Sequence, residues 1–305
     1  MTITQHTGEW AALLTAVFWT VTALSFEAAS RRIGSMVVNL LRLLAGFVFL
    51  TVFVWFYRGM LFPADATPHA WFYLILSGLV GFVFGDLCLF QAFVVVGARI
   101  SMLLMALAPP MTALIGWLAL GETLSWKSSI GMILTIAGIA LVVLKRHTAE
   151  ESAGGFRKVK FNYPVWGILL GLGGALGQAA GLILSKVGMK DYDTFASTQI
   201  RVIAGIAGFS ILFFIMRLWK DAFRALSNRK PMLQLTLGAF FGPFLGVSFS
   251  LIAIKYADAG IAATIMALVP VLIIPPSMII YKEKVTLKEI SGALLAVGGV
   301  AMFFL

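Results

Sequence analysis

The chain has 305 residues, 60% of them hydrophobic and only 12% charged, with a mean hydropathy of +0.98. Soluble domains are nearer half apolar and a quarter charged. Here the apolar residues fall in runs long enough to cross a bilayer, so a soluble fold is excluded and an all-α polytopic membrane protein is expected. The net charge of +10 is no nucleic-acid footprint, because the basic residues gather in short connections between apolar runs, where they set orientation and meet anionic lipid heads.

The pattern predicts ten transmembrane helices, at about 10–27, 36–57, 71–96, 100–120, 127–144, 164–185, 195–218, 233–255, 260–281 and 288–305. No Lys or Arg precedes the first run and no small-residue cleavage site follows it, so it reads as a retained helix and not a signal peptide. That helix carries Trp19, Thr20 and Thr22, an aromatic and small polar mixture suited to a cavity for amphipathic metabolites. Membrane aromatics also simply pack or anchor at interfaces. Glu27, near its end, is a candidate partner for Arg42 or a proton carrier, or else an interfacial charge. Arg42, early in the second helix, either snorkels and bonds helix-end carbonyls or binds an anionic group such as a carboxylate. In the third helix Asp86 stands near mid-span. A carboxylate there costs at least about 2.5–3.5 kcal/mol, so it must be paired, protonated or wetted. It is the candidate for both solute path and proton coupling; a neutral acid bonded to a neighbouring helix is the alternative. Cys88, the single cysteine, excludes an intramolecular disulfide.

The fourth helix contains Met105 and Pro109. Pro109 has no N–H to donate to the Met105 carbonyl, and such a carbonyl persists in hydrocarbon only if it faces protein or a watery cavity. A kinked helix lining a solute path and a kink that merely improves packing both fit. Glu122, in the turn before the fifth helix, is expected to serve a hairpin and helix cap. The polar stretch Lys145–Tyr163 then divides the chain into residues 1–144 and 164–305. Gln178 lies mid-span in the sixth helix, where an amide needs a partner. It sits beside Gly173, Gly177 and Gly181, a spacing that lets helices approach closely. Arg201 takes the place of Arg42 in the seventh helix, and Gly238, Gly242 and Gly246 repeat the small-residue spacing in the eighth. The ninth carries Met266 and Pro270. Glu283 precedes the tenth, where Thr286 and Glu289 have capping-box spacing.

The halves are written alike. Met105–Leu144 lies over Met266–Leu305 without a gap, with identities at Met105, Ala106, Leu107, Pro109, Glu122, Lys127, Gly131, Gly138, Ala140 and Leu144. "RLLAG" from Arg42 answers "RVIAG" from Arg201, and Trp10 and Trp166 open the first and sixth helices. Five helices per copy is odd, so the copies are expected to cross the membrane in opposite senses, as an inverted repeat. They differ at Asp86 against Val247, and at Pro110 against Pro275 and Pro276, so the fourth and ninth helices should bend differently.

Ten helices in two copies, an Arg early in each second helix, a Pro within each fourth and Glu-x-[LV]-[ST] before each fifth resemble the EamA family of the drug/metabolite transporter superfamily, over roughly residues 10–305. The resemblance implies secondary transport of a small organic solute (an amino acid, nucleoside, related metabolite or drug) by alternating access, driven by protons or exchange. It also implies a central cavity between the halves; a multi-pass place in the cell's inner membrane and no cofactor are expected. Monomer and homodimer are both compatible with it.

Two rivals remain. A membrane-embedded enzyme needs a polar catalytic cluster, and the sequence offers little: His6, His69 and His147 all fall outside the spans, so no buried His metal site is expected. A receptor or scaffold leaves the paired copies unexplained. Orientation divides the signals. The loops on the side of the N-terminus carry five basic residues, namely Arg58, Lys127, Lys186, Lys190 and Lys255. The opposite loops carry sixteen, concentrated at Arg31–Arg32, Lys145–Lys160 and Arg217–Lys230; with Arg42 and Arg201 these make all 23. The positive-inside rule therefore places both termini outside, whereas the family resemblance implies both inside.

Overall fold

A computed structural model describes residues 7–120, 126–143, 162–256, 262, 265–280, 282 and 285–302. Glu122, Glu283, Ser125, His6, His147 and most of the polar linker lie outside them. All regular structure among the described residues is helical: α1 (Thr7–Ile33), α2 (Ser35–Arg58), α3 (Pro68–Gly78), a π-helical segment (Leu79–Gly85), α4 (Asp86–Met105), α5 (Ala108–Leu120), α6 (Trp126–Val143), α7 (Val165–Met189), α8 (Thr194–Met216), α9 (Trp219–Leu226), α10 (Arg229–Ala239), a second π-helical segment (Phe240–Gly246), α11 (Val247–Tyr256), α12 (Val269–Leu272), α13 (Ile274–Ile280) and α14 (Leu287–Met302).

Helix starts follow local chemistry. The Thr67 hydroxyl accepts from the Ala70 N–H (3.2 Å) with Pro68 in the first turn of α3, and the Asp193 carboxylate accepts from Ala196 N–H (2.8 Å) at α8. At α14 the expected box forms: Thr286 N–H donates to Glu289 Oε2 (2.8 Å) and Glu289 N–H to Thr286 Oγ1 (3.3 Å). Glu289 also accepts from the Tyr163 hydroxyl (2.9 Å) and pairs with Arg99 (3.3 Å).

Among the described residues six helical stretches, of 23 to 38 residues, are long and apolar enough to cross a membrane, and shorter apolar helices span Ser129–Val142 and Val269–Ile280. Their outer faces stay apolar. Phe56, Phe214 and Ile279 are 81%, 71% and 78% exposed, a surface that hydrocarbon accepts and water does not.

Element bounds recur 161 residues apart. Pro68–Gly78 answers Arg229–Ala239, Leu79–Gly85 answers Phe240–Gly246, and α5 and α6 begin at 108 and 126 where α12 and α14 begin at 269 and 287. Packing is reciprocal: α7 lies along α3, the first π segment and α4, while α1 lies along α10, the second π segment and α11. The helices α6 and α14 pack directly on each other. A Cβ built on Gly138 would stand 2.5 Å from Ala296 N, and one on its counterpart Gly299 would stand 2.5 Å from Thr135 N. The small-residue rows do the same elsewhere. A Cβ on Gly177 would meet Gly85 Cα at 2.4 Å, one on Gly181 would meet Gly81 Cα at 3.1 Å, and one on Gly242 would meet the Thr22 methyl at 2.8 Å. Backbone contact of this kind is what small residues permit.

Three breaks interrupt the apolar runs. Gly97 has φ 82 and ψ 159, a conformation open to glycine, and it divides the third predicted span from the fourth. At Ala106–Leu107 the chain tightens into i→i+3 bonds, Ala106 N–H to Leu103 O and Leu107 N–H to Leu104 O. Pro109 is therefore the second residue of a new helix, α5, where its missing N–H is no loss, and not the centre of one kinked helix as its position in the run suggested. The second copy turns in the same way at Ala267–Leu268 and breaks again at Ile273, before Pro275 and Pro276. The two copies bend differently, as their proline patterns predict.

Candidate functional site

The helix breaks meet at the centre of the bundle and leave space there. One cavity is lined by Trp19, Met102, Met105, Pro109, Thr112, Gln178, Met266 and Pro270, among others. An adjoining cavity shares Trp19, Met102, Met105 and Gln178 with it, and adds Thr22, Phe26, Arg42, Phe82, Asp86, Phe90, Phe93 and Val247. Both repeated Met-to-Pro phrases thus border the first cavity, and Asp86 and its counterpart Val247 border the second. The structure brings together Trp19, Thr22, Asp86, Met105, Pro109, Gln178, Met266 and Pro270, which lie on α1, α4, α5, α7, α12 and, for Met266, the helical residues just before the turn into α12.

Asp86 follows the first π-helical segment, and its N–H donates to Gly81 O, five residues back. Inserting one residue in a turn rotates everything after it, which is how such segments re-aim side chains at functional sites. Arg42 Nη2 donates to Asp86 Oδ2 at 2.5 Å. The pair is braced by Asn39, whose Oδ1 accepts from Arg42 Nε (3.1 Å) and whose Nδ2 donates to the Asp86 carbonyl (3.2 Å). Aromatic faces close the Arg42 guanidinium in, with the centroids of Phe90, Phe26 and Phe82 at 4.6, 5.6 and 5.7 Å. Arg201 stacks 4.8 Å from the same Phe82 ring.

Other polar atoms face the space unsatisfied. Thr22 Oγ1 is buried without a hydrogen-bond partner, and the Gln178 amide makes no hydrogen bond to a described residue. Thr20, by contrast, spends its hydroxyl on the Ala16 carbonyl (2.9 Å) and borders neither cavity.

Glu27 lies elsewhere. It is 3% exposed and forms a pair with Arg31 (2.9 Å), and its Oε2 accepts the Ala98 N–H (3.1 Å) that the Gly97 break leaves outside the helix ladder. Arg42 takes Asp86 as its acid, not Glu27. Sequence reasoning passed over several lining residues. Phe82 and Phe90 stand four residues before and after Asp86, and Met102 three before Met105. One-face helical spacing was the signal that would have found them. Asn39, three residues before Arg42, was readable in the same way.

Comparison with known proteins bears on the family and the fold. The EamA-like transporter family matches residues 6–144 and again 165–305. The chain is 27% identical over 195 residues, 64% of its length, to "Uncharacterized transporter YvbV" of Bacillus subtilis (strain 168), and the match spans 59% of that relative. A solved structure described as "Crystal structure of protein" superposes with a TM-score of 0.63 over 98% of this chain and 96% of its own, at 16% identity. That likeness speaks for the fold alone.

Proposed function

The chain belongs to the EamA-like transporter family, and so to the drug/metabolite transporter superfamily, and on that premise we propose that it moves a small organic solute across the inner membrane by alternating access. The observation that carries the reading is the convergence of the two repeated Met-to-Pro phrases on one central cavity, each at a break in its helix. In this reading the described helices, with the residues around them, make ten spans in two oppositely inserted five-helix copies. The reciprocal lodging of α1 and α7 in the other copy supports it. An inverted repeat has two equivalent ways of packing its halves around a fixed site, one open to each side. Breaks at residues 106–107 and 267–268 are the joints about which the outer parts of α5 and α12 swing. In this reading the crowded basic end, including Arg217, Lys220 and Arg224 around α9, lies in the cytoplasm, as the positive-inside rule favours.

Coupling belongs to Asp86. In this state Arg42 is bonded to it, and in this reading a rearrangement that separates the two among Phe26, Phe90 and Phe93 is the step to which proton movement is tied. Glu27, engaged with Arg31 and the broken backbone at Ala98, is a positioning residue. The direct test is solute counterflow in proteoliposomes preloaded with a pool of amino acids, nucleosides and carboxylates. Exchange of label is expected, and absence of exchange for every solute in the pool overturns the reading in favour of an enzyme or scaffold. Asp86→Asn should retain exchange and lose uptake driven by a proton gradient. Full gradient-driven uptake in that variant removes Asp86 from coupling.

A further inference from the structure

The layer around Phe82 sets two buried cations against one carboxylate, Asp86, whose side chain is 17% exposed. Arg42 and Arg201 are 3% and 4% exposed. Arg42 is satisfied by Asp86 and Asn39, whereas Arg201 makes no hydrogen bond to a described residue and its Nε is buried without a partner. Asp86 is within electrostatic range of Arg201 but is bonded to Arg42. Glu27, the one fully buried acid among the described residues, is committed to Arg31 and Ala98 near the end of α1. A guanidinium left without an anion in a low-dielectric interior is unfavourable and attracts one. Arg201 is also one ring from the cavity: it stacks on Phe82, and Phe82 forms part of the cavity wall. The remaining wall, with Trp19, Phe26, Phe90, Phe93 and Met102, is aromatic and thioether, which suits a flat apolar body.

We propose that the solute is an organic carboxylate with an aromatic or similarly apolar body, its anionic group bound by Arg201 as the Phe82 ring turns aside while the Arg42–Asp86 pair stays intact. The proposal rests on the transporter reading of this cavity and adds its charge class. A monoanion brings the two cations and one carboxylate to neutrality. A zwitterion leaves the excess charge in place, and a cation increases it. Planar guanidinium matches carboxylate in two parallel hydrogen bonds, so Arg201 supplies geometry as well as charge.

One indole body in four charge states tests this. Indole-3-acetate, indole-3-acetamide, tryptophan and tryptamine are titrated by calorimetry into the purified full chain. Indole-3-acetate is expected to bind at least about tenfold more tightly than the amide, with tryptamine weakest, the scale of one charge-assisted hydrogen-bonded contact. Arg201→Gln should erase the preference and Arg201→Lys restore part of it. Asp86→Asn, which leaves Arg201 in place and increases the excess of cations, should enlarge the preference, and this arm holds even if Arg201→Gln fails to fold. Equal or weaker binding of the acetate than of the amide overturns the proposal, as does an undiminished preference in Arg201→Gln or a lost preference in Asp86→Asn. Counterflow of the same four compounds separates the two readings. Exchange of tryptophan or the amide without the acetate keeps the transporter and rejects the charge class. Tight acetate binding with no exchange of any compound rejects the transporter and keeps the charge class.

Discussion

Glu27 and Asp86 are both acids in apolar helices, and their surroundings give them different work. Glu27 receives the N–H that Gly97 frees at Ala98 and holds Arg31 one helical turn away. Its removal strands a buried donor, which costs about 1–3 kcal/mol. Glu27→Ala should therefore lower the melting temperature in detergent, and Glu27→Gln, which keeps an acceptor, should lower it less. Equal losses for the two would show that the carboxylate's charge matters and the cap does not. Asp86 was legible in the sequence because a charge in mid-span has no bland explanation. The role of Glu27 was not, since it depends on a backbone break that only the packed bundle reveals. At the extramembrane end of α2, Tyr192 donates to Asp65 Oδ1 (2.7 Å) and accepts from Arg58 Nη1 (3.3 Å). Burial pushes its phenol up to about 12, with the Arg58 hydrogen bond opposing and the Asp65 hydrogen bond adding to the rise. The folded chain thus holds this proton more firmly than the unfolded one, and the stability it contributes is complete below the ordinary tyrosine range and lost as pH rises through about 12. Tyrosinate absorbance should show the step missing from Tyr192→Phe near that pH; a missing step near 10 would mean that the cluster is open to water.

At the scale of elements, the glycine rows fix how closely helices approach. Gly177 on α7 faces Gly85 in the first π segment with no room for a side chain, whereas a Cβ on Gly298 of α14 meets nothing within 4 Å. Gly177→Ala is expected to destabilise by about 1–3 kcal/mol through forced separation. Gly298→Ala should be neutral or stabilise by up to about 1 kcal/mol through helix propensity. Thermal melts should fall for Gly177→Ala and stay or rise for Gly298→Ala, and a neutral Gly177→Ala would contradict the packing described here. The rows were readable from spacing. The π-helical segments were not: nothing in "LVGFVFG" or "FFGPFLG" distinguishes a five-residue hydrogen-bond step from an ordinary turn, and only their recurrence 161 residues apart marks them as built features. Proline misled for a related reason. A proline within an apolar run reads as a kink, yet the chain had already left the helix at Ala106, so Pro109 and Pro270 open new helices instead of bending old ones.

At the scale of the molecule, the sequence displayed its duplication openly, because glycine, proline and charged residues coincide only when geometry demands them. What it left unread was which copy packs on which. The exchange of α1 and α7 between copies, the α6–α14 contact at matched glycines and the single carboxylate set between two repeat-related arginines emerge from the fold. The positive-inside rule predicts that a reporter fused after Leu305 reads as outside; a cytoplasmic reading would show that the sixteen loop cations do not govern insertion. The central claim is that one cavity serves both sides of the membrane. With Cys88 replaced by Ser and a single Cys placed at Gln178, which borders both cavities, labelling by a membrane-impermeant thiol reagent in sealed, oriented vesicles measures it. Reaction from either side, protected by transported solute, is the predicted result, and a cysteine that reacts from one side alone under every condition would contradict the account.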